Sequence, residues 1–98
     1  ELLEQMFEIF ERDAVERIPK IRKAIEDSDY DTLNAEAHAL KGGVGNFFAQ
    51  ASFEAAYELK KMGKASDVSG GDAAFSRLER ELKRLKEELV RLIRKGNE

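Results

Sequence analysis

The sequence predicts an all-α protein, an antiparallel up-down-up-down four-helix bundle. Three observations carry this expectation. Proline occurs once in 98 residues, and helix-favouring Leu, Glu, Lys, Arg and Ala dominate outside a few short turns. Apolar residues recur at spacings of three and four in four separate segments. The connections between those segments are short, which makes consecutive helices antiparallel neighbours. No internal repeat, low-complexity tract or strand-like alternation interrupts the pattern.

The first segment carries Leu3, Phe7, Phe10, Ala14, Ile18, Ile21 and Ile25 as one stripe on a helix of about 25 residues. Pro19 lies inside it and is expected to kink or split it, because proline lacks an N–H and crowds the preceding turn. Asp27-Ser28-Asp29 supplies turn and N-cap chemistry. A second helix starts near Tyr30, with Leu33, Ala37, Leu40 and Val44 inward. The third runs from about Ala51 to Met62, with Ala55, Ala56, Leu59 and Met62 inward. Lys60 and Lys61 complement its dipole, and Gly63 reads as its C-cap. Ala65 to Gly71 reads as a loop. From about Asp72 the last helix shows Phe75, Leu78, Leu82, Leu85, Leu89 and Leu92 as a heptad stripe, closing on Arg94, Lys95 and Gly96.

Composition excludes several functions. Seventeen basic and twenty acidic residues leave a net charge of −3, and no basic block stands apart as a nucleic-acid footprint. Cysteine is absent, so disulfides and Cys-based metal sites are excluded. No apolar run approaches the roughly 18 residues of a membrane span, and neither a signal peptide nor a lipidation motif is visible. The expectation is one soluble cytoplasmic domain over residues 1–98, monomeric, needing no cofactor or metal and making no direct contact with a membrane.

Packing and solvated charge account for most of the chain. The exception is AEAHALKGGVGNFF, residues 35–48, which holds the only histidine and three of the seven glycines. At about 100° per residue, His38 falls roughly 130° from the middle of the Leu33, Ala37, Leu40 and Val44 cluster. Its ring therefore points outward, with Asn34, Lys41, Gly42 and Gly45 within about 60° on the same face. Glycine costs about 1 kcal/mol relative to Ala in a helix interior. Several together suggest an imidazole left clear for a large partner. A neutral ring nitrogen is a competent nucleophile for a phosphoryl group, and an adjacent ammonium can offset the charge on its oxygens. A surface histidine without chemistry fits the same positions, and Gly42-Gly43 also fits a helix end. KGGVGN lacks the Lys-Ser/Thr and the preceding strand that a phosphate-binding loop requires. One histidine with no partner ligand at i+4 is a poor metal site.

Leu33, the run Ala37-His38-Ala39-Leu40-Lys41-Gly42, and then Gly45-Asn46-Phe47 with Ala49 resemble the signature of histidine-phosphotransfer domains. The resemblance implies a phosphoryl carrier without its own ATP site, in which His38 takes the group from a receiver-domain aspartate and gives it to another receiver. Lys41 would assist the phosphoryl group and Gly42 would keep its approach open; Gly45 and Asn34 border that approach by their place on the same helix face. The implied partners are response-regulator receivers and a histidine kinase, with a hybrid sensor kinase as the parent. Gly43 stands where the family often has Ser, Phe48 where glycine is usual, and Ser52 where a core Leu is common. Phe48 and Phe53 are placed to refill that volume. Two alternatives remain on the sequence: a chemotaxis-type phosphotransfer domain served by a separate ATP-binding domain, and a helical interaction module without chemistry.

Overall fold

A computed structural model describes residues 1–97, and the four predicted helices form. They are α1 (Leu2–Glu26), α2 (Tyr30–Gly45), α3 (Gln50–Lys64) and α4 (Gly71–Gly96). Each packs against the two adjacent helices of an antiparallel ring, and α2 against α3 is the tightest pair. The inward stripes meet in one core, in which Ile21, Leu33, Leu40, Val44, Leu59 and Leu78 are fully buried.

Pro19 does not split α1, which runs unbroken from Leu2 to Glu26. Proline removes the donor that would have served the carbonyl of Val15. Both residues lie on the exposed side of the helix, where water can take over. The turn into α2 has the expected chemistry. The Asp27 N–H donates to the Lys23 carbonyl at 2.9 Å, Ser28 adopts φ 53°, and the Asp29 carboxylate accepts from the Thr32 N–H at 3.3 Å as N-cap.

Gly63 does not end α3. The helix continues to Lys64, with Ala65 as its C-cap. Its absent side chain serves packing instead: a Cβ at Gly63 would lie 2.7 Å from the Asn34 nitrogen and 2.8 Å from the Tyr30 carbonyl oxygen. The backbones of α2 and α3 touch there. Gly71 has a similar task at the start of α4, where a Cβ would meet Ile25 Cγ2 at 2.7 Å.

At the other end the helices are unequal. Ser52, in the first turn of α3, is buried and donates its Oγ hydrogen to the Glu81 carbonyl at 3.1 Å. The half of α4 beyond Glu81 therefore projects past α3 and lies along α1, joined by Lys86 to Glu11 at 2.7 Å. Leu82, Leu85 and Leu89 are buried as expected. Leu92 is 47% exposed, because α3 has ended before it can be covered. The bundle is accordingly elongated, 47 × 19 × 18 Å.

The turn between α2 and α3 departs from expectation. Phe48 refills nothing: it is 95% exposed and holds φ 55°, in the left-handed region that favours glycine. Only Phe53 packs against the core. Near Ser52 a shallow pocket remains between the start of α3 and α4, bordered by Phe47, Phe48, Leu85 and Leu89. No helix among the described residues is long and apolar enough to cross a membrane.

Candidate functional site

The α2 helix runs straight through Gly42 and Gly43 and ends at Gly45, so the glycine pair is not a terminator. His38 sits near the middle of α2 with an exposed side chain, flanked by Ala37 and Leu40, both fully buried. Those neighbours fix the rotation of α2 and hold the imidazole outward. Among the described residues His38 has no hydrogen-bonding side chain and no ion-pair partner, so its ring nitrogens face solvent.

The glycines divide by environment. A Cβ at Gly42 would meet nothing within 4 Å, so this position opens directly onto solvent on the His38 side of the helix. At Gly45 it would touch only the Phe53 ring, at 3.8 Å. Gly43 points the other way: a Cβ would stand 3.3 Å from Phe10 Cδ1, so this glycine fits α2 onto α1. A Ser at this position would press on Phe10. Asn34 is half-buried, and its backbone forms part of the close contact with Gly63, so it belongs to the seam with α3.

Lys41 lies one turn beyond His38 and turns toward α3. Its Nζ stands 5.4 Å from the centroid of Phe53 and 5.3 Å from that of Tyr57. Lys60 and Lys61 lie over the same Tyr57 ring at 5.7 and 4.9 Å. Sequence reasoning assigned these two lysines to the helix dipole and left Phe53 and Tyr57 out of the site. The available signal was the i, i+4 spacing of the two aromatics, off the inward stripe of α3. Which α2 residue they face depends on the cross-helix register, which the Gly63 contact sets.

Carboxylates bordering this face are engaged elsewhere. Glu36 accepts from Arg17 Nη1 at 2.7 Å, and Arg17 also bonds Asp13, linking α1 to α2. Hydrogen bonds from its guanidinium to Asp13 and then Glu36 raise its pKa further above an already basic value. Glu58 and Glu54 are held by Arg77 of α4 at 3.1 and 3.7 Å. Lys41, Lys60 and Lys61 are left gathered around Tyr57. No cluster of three or more metal-ligating side chains occurs among the described residues.

An outward imidazole on a four-helix bundle, beside an open glycine and an ammonium one turn along, suits a helical phosphoryl carrier. The comparison with known families agrees. The Hpt domain profile matches residues 5–88, which is most of the chain, and the protein belongs to that family. Hpt domains are phosphocarrier modules of two-component and phosphorelay signalling, where they interact with receiver domains and kinases. Histidine phosphotransfer in such signalling is what membership implies for this chain. Searches of curated proteins and of solved structures gave no significant match.

Proposed function

We propose that His38 is the phosphoacceptor, charged by the aspartyl phosphate of one receiver domain and discharged to the aspartate of another. The observation that carries this reading is the geometry of α2: its only histidine is exposed, with open space at Gly42 and the Lys41 ammonium one turn away.

The lone pair of one ring nitrogen attacks phosphorus while the proton stays on the other nitrogen. The N–P bond forms as the acyl phosphate P–O bond breaks, and the donor carboxylate leaves with the bonding electrons. Acceptance thus leaves a cationic ring bearing the phosphoryl group. Discharge is the reverse sequence toward a second carboxylate, with the imidazole as leaving group. Lys41 offsets charge on the phosphoryl oxygens as it develops, a role suited to a preorganised cation. Gly42 and Gly45 admit the partner surface, while Asn34 shapes the border of the approach. Residues 1–98 act as one monomeric, cytoplasmic carrier domain whose chemistry beyond His38 and Lys41 is supplied by its partners.

The test is transfer from a phosphorylated receiver to this chain and to its His38→Gln variant. Acid-labile, base-stable label on the parent alone supports the assignment. Equal labelling of both proteins refutes it. Because the site is exposed, the variant should retain the helical content of the parent. Loss of the fold would contradict the geometry described above.

A further inference from the structure

The environment of Lys41 is unusual for a surface lysine. Carboxylates are plentiful on this protein, yet the ammonium rests between two aromatic rings, Phe53 at 5.4 Å and Tyr57 at 5.3 Å. Glu36 is bonded to Arg17, and Glu54 and Glu58 on α3 are held by Arg77. A ring face attracts a cation through its quadrupole. Unlike a carboxylate, it neither neutralises the ammonium nor engages its N–H groups in strong hydrogen bonds. The charge is therefore localised while its donors stay available.

The placement matters because of register. Lys41 and His38 are i, i+3 neighbours on α2, with Cβ atoms about 5–6 Å apart in such a pair. Phe53 and Tyr57 are i, i+4 neighbours along the edge of α3 facing them. The stem of Lys41 is thus restrained across the α2–α3 groove rather than free to sweep through solvent. Lys60 and Lys61 approach the same Tyr57 ring, which gathers three ammonium groups around one aromatic side chain. Such a cluster is relieved by an arriving anion.

We propose that Phe53 and Tyr57 are positioning residues for phosphoryl transfer, holding the Lys41 ammonium unpaired and within reach of a phosphoryl group on His38. This rests on the reading of His38 as acceptor. Neither ring touches the reacting atoms, so both act through Lys41. The aromatic face of Tyr57 is the required feature, and its hydroxyl is not.

A partner-independent donor isolates this effect from docking. Phosphoramidate phosphorylates imidazole directly: its P–N bond breaks, the new N–P bond to the ring forms, and ammonia leaves with the proton the ring gives up. The rate of His38 labelling by phosphoramidate is compared in the parent, Tyr57→Leu, Tyr57→Phe, and Lys41→Ala with and without Tyr57→Leu. In parallel, the Lys41 ε-methylene resonances of the unphosphorylated proteins are followed by NMR, since two ring faces shift them upfield. The expected result is a several-fold slower rate for Tyr57→Leu and a near-parental rate for Tyr57→Phe. No further loss is expected when Tyr57→Leu is added to Lys41→Ala. The Lys41 shift should relax in Tyr57→Leu and persist in Tyr57→Phe. Label on the parent with an unchanged or faster rate in Tyr57→Leu overturns the positioning role alone, as does a Lys41 resonance that ignores both substitutions. A parent that takes no label overturns the acceptor assignment, and this inference with it.

Discussion

Replacing Gly42 with alanine should make the protein more stable and a poorer phosphoryl carrier. Gly42 lies inside α2, three residues short of its end, and a Cβ there would meet nothing within 4 Å. The substitution should recover the helix propensity that glycine forfeits, about 0.8–1.0 kcal/mol, with no clash to offset it. For a domain of this size that corresponds to a rise in melting temperature of roughly 4–8 °C. The added methyl group stands on the His38 side, one turn along, in the space a partner must enter. Transfer from a receiver should therefore slow, and Gly42→Gln should slow it far more while retaining much of the helical gain. Gly63→Ala is the control. It offers the same propensity, but its Cβ would strike the α2 backbone at 2.7–2.8 Å. Overpacking of about 1–3 kcal/mol should cancel or exceed the gain. Thermal melts followed by circular dichroism, paired with transfer rates, measure both effects. A Gly42→Gln protein that is stable and transfers at the parental rate would refute the argument that open space at Gly42 serves access.

Other outcomes follow from the same geometry. Leu78 is fully buried in α4, so Leu78→Ala should cost about 2–5 kcal/mol in urea denaturation. Phe48 holds φ 55° without burial, and Phe48→Gly should raise stability by about 1 kcal/mol as the left-handed strain is released. Hydrogen bonding to Thr32, side chain first and then backbone, holds the Asp29 carboxyl below its ordinary pKa. A depressed folded pKa means that the capping contribution is complete above the ordinary range, near about pH 4. It is lost as pH falls through the lower folded value. Asp29→Asn removes that titration, so the variant should lose less stability than the parent between about pH 5 and pH 3. An equally steep acid limb in both proteins would exclude Asp29 as a contributor.

The four helices were legible because each carries its own apolar stripe, and a stripe is a property of one helix. The outward direction of His38 was legible for the same reason: Leu33, Ala37, Leu40 and Val44 fix the rotation of α2 without reference to any neighbour. What depends on two helices was not. Gly63 looked like a cap because its role is a contact with the Asn34 and Tyr30 backbone, more than twenty-five residues away in sequence. Leu92 continues the α4 heptad faithfully, but α3 stops too early to bury it. Lys41 could be placed beside His38 but not between Phe53 and Tyr57, since that depends on the α2–α3 register. Pro19 does not split α1, because an exposed carbonyl tolerates the missing donor. At Phe48 the family resemblance marked a glycine position correctly, and the backbone keeps the glycine-like conformation. The expectation that the ring turns inward failed because the left-handed backbone at φ 55° carries it out to solvent.

As a carrier site, His38 must both receive and release a phosphoryl group. The most direct test is a chase: the phosphorylated chain is purified away from its donor and mixed with a panel of unphosphorylated receiver domains. Rapid loss of phosphohistidine from His38, with matching gain of aspartyl phosphate on a receiver, is the predicted result. Phosphohistidine that persists on His38 across the panel, decaying only by slow hydrolysis, would contradict the account of this protein as a carrier.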